Sequence, residues 1–357
     1  MNRIILIGNG FDLANGLKTS YKHFIDNFWE QKKDSVENYF NERRERQYRD
    51  NDIEVNNLIG STSKFHYNAE GECGYERFIH SLSRSRIQGN MRVINKFLKH
   101  ISEKNSLQSW VDIEEEYYAL LVQCAKDQQS VRKEKLIELN REFESIKKYL
   151  IEYLIEEEKK NICTKDTIVD KIYSSFNKRD FMTEINVTDP ERILFLNFNY
   201  TTTNIRHSFS WEANKILYEN IHIHGRLEDS RNPVIFGYGD ETGQEYAMIE
   251  NLNDNDFLEN MKSIKYLETD NYKQLSNFID SDNYQIFIFG HSCGKSDRTL
   301  LKILFEHKNC ISIKVFYYKP DEKDNFSDII RNISRHFSDK TMMRRKVVNK
   351  KYSETLL

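Results

Sequence analysis

The sequence predicts an α/β protein, built as a Rossmann-like, doubly wound, mostly parallel sheet that a large helical insertion interrupts. Three observations carry this. The chain opens on a continuous apolar run, Arg3-Ile4-Ile5-Leu6-Ile7, which breaks into Gly8-Asn9-Gly10 as a buried parallel strand breaks into a turn. Helix-period, charged sequence then takes over from Ser20 to Lys178. Strand-like runs return at Ile193 to Leu196, Ile221 to His224, Val234 to Phe236, Gln285 to Phe289 and Ile311 to Tyr318, with helical or turn segments between them.

Within the helical block the three-four spacing is clearest at Leu136, Leu139, Phe143, Ile146, Leu150 and Tyr153. Residues 44 to 75 are polar without a sustained period and read as a long loop. The domain organisation that follows is a nucleotide-binding core of residues 1–20 plus 188–340, a helical insertion of 21–187, and a basic tail of 341–357 that includes Arg344, Arg345, Lys346, Lys350 and Lys351. Ligands of such sheets bind outside the carboxyl ends of the strands, and the chemically suggestive segments lie at strand ends.

Gly8-Asn9-Gly10-Phe11-Asp12 follows the first strand as G-x-G, where a glycine lets the backbone approach a diphosphate; Leu13 replaces the third glycine of the dinucleotide pattern. The same glycines also suit a strand-turn-helix corner for geometry alone. Asn197-Phe198-Asn199-Tyr200-Thr201-Thr202-Thr203 concentrates amides and hydroxyls able to orient a sugar hydroxyl or a water, although capping accounts for one or two of them. In Ile221-His222-Ile223-His224-Gly225 the histidines alternate along a strand and are expected on one face. No carboxylate or cysteine cluster completes a metal site there, so His224 beside Gly225 is the candidate polar catalytic group. Phe236-Gly237-Tyr238-Gly239-Asp240 reads as a turn, and Gly290-His291-Ser292-Cys293-Gly294-Lys295-Ser296-Asp297 as a second ligand loop with Ser296 or Asp297 capping the next helix. Gly290 to Gly294 also matches the G-x-S-x-G nucleophile elbow, with His307 and His336 downstream as possible partners for Ser292. The carboxylate run within Trp110 to Tyr117 reads as a solvated helix face, with Glu114 alternatively lining the crevice from the insertion side.

Composition narrows the classes. With 38% hydrophobic and 31% charged residues, and no apolar run long enough to span a bilayer, a membrane protein is not expected. Five cysteines without a C-x-x-C pair argue against a zinc ribbon or a disulfide framework and favour a reducing, cytoplasmic setting. A net charge of −3 gives no global attraction for nucleic acid.

Through Ile7-Gly8-Asn9-Gly10-Phe11-Asp12-Leu13-Ala14-Asn15-Gly16-Leu17-Lys18-Thr19-Ser20-Tyr21 the chain resembles the AbiH family of bacterial abortive-infection proteins, and the later segments follow in the order expected of that family. More distantly, the order of parts resembles the sirtuin-like NAD-consuming fold. That resemblance implies NAD as substrate, hydrolysed to nicotinamide and ADP-ribose on infection, with Asn199 and His224 catalytic and no metal. It places Gly8, Asn9, Gly10, Phe11, Asp12, Tyr200, Thr201, Gly290, Ser292 and Asp297 in nucleotide binding. Thr201 stands where the sirtuin-like motif has aspartate, and the paired cysteines of the zinc-bearing deacetylases are absent. The expected partners are NAD, further copies of the chain and a phage-derived or defence-system trigger. The alternatives are a nucleotide-binding regulatory or interaction module without turnover, and a hydrolase using Ser292.

Overall fold

The computed structural model describes residues 1–43, 45, 47–56, 73–84, 91–108, 112–160, 166–206 and 216–357. They form two compact units: residues 1–19, 154–254 and 258–357 make the first, and residues 20–153 with 255–257 the second.

The first unit is organised on a six-stranded sheet. Its strands are β1 (Asn2–Ile7), β5 (Arg192–Asn197), β6 (Leu217–His222), β7 (Tyr284–Phe289), β8 (Cys310–Tyr317) and β9 (Glu354–Thr355), numbered along the chain with β2–β4 in the second unit. They lie in the order β6-β5-β1-β7-β8-β9 and every pairing is parallel. The order therefore grows outward from β1 in one direction, returns, and grows outward in the other, which is the doubly wound pattern. Alternation along β1 explains its unbroken apolar run. Ile4 and Leu6 pack with Leu194, Leu196, Ile286 and Ile288 on one face, whereas Ile5 and Ile7 pack with Phe195, Phe287, Phe289 and Phe316 on the other. The first face is covered by the helices Asn271–Ser281, Arg298–Glu306 and Phe326–His336, and the second receives Ile168 and Ile172 from the helix Asp166–Tyr173.

The second unit contains the helices Tyr21–Glu42, Gly74–Arg84, Lys96–Gln108 and Ile113–Lys126 and most of Gln129–Glu158. Leu136, Leu139, Phe143, Ile146 and Leu150 of the last are buried, as their spacing requires. Among the residues read as loop, Gln47–Arg49 (β2) and Ile53–Asn56 (β3) instead pair antiparallel, and Met91–Val93 (β4) joins them. The strands are too short to show a period. Asp50 supplies what pattern could not: its Oδ1 accepts from the amides of Asp52 and Ile53 at 2.8 Å each and closes the turn between β2 and β3.

A second expectation fails locally. Val234–Phe236 joins no sheet; Ile235 N–H donates to His224 C=O at 2.8 Å, so the segment doubles back on the chain leaving β6. Residues of the basic C-terminal stretch form the helix Lys340–Lys346 and the edge strand β9, and Leu356 is buried in the sheet's second face. Trp110 and Val111 lie outside the described residues; Asp112 caps the helix Ile113–Lys126 by accepting from the amides of Glu114 and Glu115, and Glu114 is buried in the second unit rather than solvated. Among the described residues no helix is long and apolar enough to cross a membrane.

Candidate functional site

The strand order reverses between β1 and β7, and the loops leaving their carboxyl ends meet there. Gly8 N–H donates to Phe289 C=O at 3.1 Å, Gly10 N–H to Gly290 C=O at 2.8 Å, and Phe11 N–H to Gly8 C=O at 2.8 Å. A Cβ on Gly290, whose φ is +69°, would stand 2.1 Å from Phe11 N, and one on Gly8 would stand 2.5 Å from His291 Cα. The glycines of both loops are thus accounted for by close backbone packing of one loop on the other. Three amides that a diphosphate would need are committed to the protein in this conformation. Asn9 is exposed and its Oδ1 accepts from Thr19 Oγ1 at 2.6 Å, and Phe11 is buried with its ring stacked on Phe289.

The amide and hydroxyl cluster after β5 folds onto the same corner. Asn197 Nδ2 donates to Thr201 C=O and to Asn204 Oδ1, while its Oδ1 accepts from Asn199 N–H at 2.8 Å, so this residue holds the turn together from inside. Asn199 Nδ2 donates to Gly8 C=O at 3.0 Å. Thr201 Oγ1 donates to Asp12 Oδ2 at 2.6 Å, and both residues are 1% exposed. Thr202 donates through its amide and hydroxyl to Glu158. Burial pushes the Asp12 carboxyl up to about 6, although the hydroxyls of Thr201 and Thr203 and the amide of Asn199 favour its ionised form.

A second buried group is centred on Asp297. This residue opens the helix Arg298–Glu306, but its carboxylate makes no capping bond, contrary to the capping role read from sequence. Instead Oδ1 accepts from Lys262 Nζ at 2.9 Å and lies 3.2 Å from His224 Nε2, and Oδ2 lies 3.6 Å from His291 Nε2. Cys293 N–H donates to His291 Nδ1, which places that ring's proton on Nε2, toward Asp297. Burial alone would raise the Asp297 carboxyl, but Lys262 and His224 hold it well below the usual carboxylate range. His224 Nε2 also lies 3.1 Å from Tyr266 Oη, and the two rings stack. Burial, with Lys262 adding to it, depresses His224 to about 4, so the imidazole is neutral at physiological pH. Hydrogen bonding through Nε2 to a carboxylate fixes the proton on Nε2 and leaves Nδ1 as the basic nitrogen.

The two histidines of the strand end do not act as a pair. β6 ends at His222, so the alternation that would align the rings does not extend to His224. His222 joins the Asn197 and Asn199 group, at 3.4 Å from each through Nδ1, whereas His224 joins Asp297. Among the described residues no three His, Cys, Asp or Glu side chains gather as metal ligands. Tyr200 is buried, its hydroxyl directed to Ile235 C=O at 3.4 Å and its ring 6.4 Å from that of His224.

Ser292 lacks the company a hydrolase elbow needs. It is exposed, the non-glycine residue of its loop with left-handed backbone is Cys293 at φ +54° rather than the serine, and its carbonyl accepts from Asn332 Nδ2 at 2.8 Å. His336 Nε2 bonds Cys293 C=O, and His307 sits with Asp280 by the amino end of β7. Lys262 and Tyr266 were invisible to motif reasoning, since Asn260-Met261-Lys262-Ser263-Ile264-Lys265-Tyr266 resembles any amphipathic surface segment. The structure buries this lysine at 1% exposure because Gly237 and Gly239 admit its segment closely: a Cβ on Gly237 would meet Asn260 C=O at 2.0 Å.

These features define a parallel α/β protein of Rossmann-like architecture whose buried acid, base and amide side chains collect at the carboxyl ends of the strands flanking the order reversal. The chain belongs to the bacteriophage abortive infection AbiH family, whose model matches residues 4–319. No curated protein and no solved structure matches the chain.

Proposed function

We propose that this protein is an abortive-infection effector that hydrolyses NAD to nicotinamide and ADP-ribose when a phage infects the cell. The observation that carries the reading is the His224–Asp297 pair: a neutral imidazole held through Nε2 by a buried carboxylate, beside the Asn199 turn. The order of the parts, which resembles that of sirtuin-like NAD-consuming proteins, supports it. In the reaction the bond between nicotinamide nitrogen and ribose C1′ breaks and its electron pair leaves on nicotinamide. A water oxygen bonds C1′, and the water proton passes to His224 Nδ1. Asn199 positions the water, and Asp297 stabilises the imidazolium that forms. The amides of Gly8, Gly10 and Phe11 are bonded within the protein, so a diphosphate at this turn requires those bonds to open. A resting state without a diphosphate cradle suits an effector that is silent until triggered.

The test is cellular NAD during phage infection. NAD is expected to collapse in cells carrying the wild-type chain and to hold in cells carrying His224→Ala. Steady NAD alongside preserved protection by the wild type rejects the reading and selects a binding role or another substrate.

A further inference from the structure

A buried carboxylate with one oxygen bonded and the other bare is an uncommon arrangement, because a desolvated acceptor without a donor is costly. Asp12 has it. Oδ2 accepts from Thr201 Oγ1 at 2.6 Å, and Oδ1, fully enclosed, has no hydrogen-bond partner among the described residues. The hydroxyls of Thr201 and Thr203 and the side-chain amide of Asn199 favour its ionised form, with Thr203 Oγ1 donating to Thr201 Oγ1 at 3.4 Å, and none of the three is a cation. Among the described residues Glu158, of the same sign, also acts on it. A lone buried negative charge among neutral donors, at the carboxyl ends of β1 and β5, does not stabilise the fold by pairing. It suits a ligand that brings a neutral donor to Oδ1 and develops positive charge nearby.

We propose that Asp12 is the ribose-hydroxyl acceptor of this site: Oδ1 receives a hydrogen bond from a hydroxyl of the substrate's ribose, Thr201 holds Oδ2, and the negative charge stabilises the oxocarbenium-like ring as the C1′ bond breaks. The proposal rests on the NAD-hydrolysis reading and deepens it. Asp12 then supplies from the first turn the carboxylate that position 201 lacks, and Thr201 positions it. The hydroxyl remains protonated throughout; the interaction is a hydrogen bond and a charge contact. Although burial pushes the carboxyl up to about 6, the ionised form still dominates at neutral pH, less stable than in an exposed aspartate.

The experiment compares wild type, Asp12→Asn and Thr201→Val in three readouts: NAD turnover in extract of infected cells, ADP-ribose binding by calorimetry across pH 5 to 8, and thermal melting. Asp12→Asn keeps the acceptor for Thr201 and removes the buried charge. It is expected to melt about 2–4 °C higher at pH 7.5 and to lose at least a hundredfold in kcat, and its ADP-ribose affinity is expected to lose the rise through pH 6 that wild type shows. Thr201→Val is expected to move that rise, and the acid limb of kcat, to higher pH. Turnover by Asp12→Asn within about twofold of wild type, or an unmoved acid limb in Thr201→Val, overturns the assignment and leaves NAD hydrolysis standing. A wild type that neither binds ADP-ribose nor turns NAD over in infected extract rejects NAD hydrolysis and takes the assignment with it.

Discussion

Replacing Asp297 with asparagine removes the carboxylate to which Lys262 Nζ, 1% exposed, donates at 2.9 Å. Breaking a buried pair by removing one partner costs about 3–5 kcal/mol, whereas removing both charges is often neutral. Asp297→Asn is therefore expected to destabilise by that amount in chemical denaturation, and a Lys262→Met change on top of it to recover most of the loss. If the single variant stays within about 1 kcal/mol of wild type, the pair is not the electrostatic unit described here. His224 feels the same change, because Asp297 fixes its proton on Nε2; under the proposed NAD hydrolysis, turnover is expected to remain lost in the double variant even where stability returns. Position 12 and position 297 thus differ in kind: one carboxylate is matched to a cation and the other is not, although both are buried at strand ends.

At the scale of elements, the meeting of the β1 and β7 loops depends on a glycine that no other residue replaces. Gly290→Ala faces a φ of +69° and a Cβ 2.1 Å from Phe11 N. The left-handed backbone alone costs about 1–2 kcal/mol, and relieving the contact breaks the Gly10–Gly290 bond as well. A loss of at least about 2 kcal/mol in denaturation is expected, with amide exchange at Gly10 accelerated; unchanged exchange there would contradict the described packing. β9 makes a different case. Its length gives no strand signal, yet Leu356 is buried, its N–H donates to Tyr317 C=O, and Lys171 Nζ donates to the carbonyls of Thr355 and Leu356 at 2.9 Å each. Deleting residues 354–357 is expected to cost about 2–3 kcal/mol from the leucine alone, read as a lowered denaturation midpoint. A midpoint equal to wild type would make this strand ornamental to the sheet.

For the whole molecule, buried titratable groups set how stability follows pH. Burial depresses His222, His224 and His336 to about 4 each, against 6.5 unperturbed. Each stabilises the fold above pH 6.5 and loses that contribution as pH falls toward 4, by up to about 3 kcal/mol per histidine. Asp12 runs the other way, since burial raises it from 3.8 to about 6: its contribution is full below 3.8 and is lost as pH rises through 6. Near pH 5 three unfolded-state protons outweigh one native-state proton, so stability is expected to fall by about 1–3 kcal/mol between pH 6 and pH 5. Denaturation midpoints that are flat over that interval would mean the histidines are hydrated in solution.

The sequence by itself determined the class of sheet, because strands buried on both faces read as continuous apolar runs, as Ile4–Ile7 of β1, Ile193–Leu196 of β5 and Ile286–Phe289 of β7 do. It also determined the long helix Gln129–Glu158 through its spacing, and the segments that converge at strand ends. Asn199, His224, Asp12 and Asp297 were all legible as polar residues after strands. What only the tertiary structure decided is which of them meet. Lys262 approaches Asp297 across 35 positions of chain, and Thr201 approaches Asp12 across 189. Neither pairing leaves a periodic or local trace, because a hydrogen bond between distant turns depends on how the sheet is wound, and the charge balance that separates a paired carboxylate from a bare one exists only once both are buried.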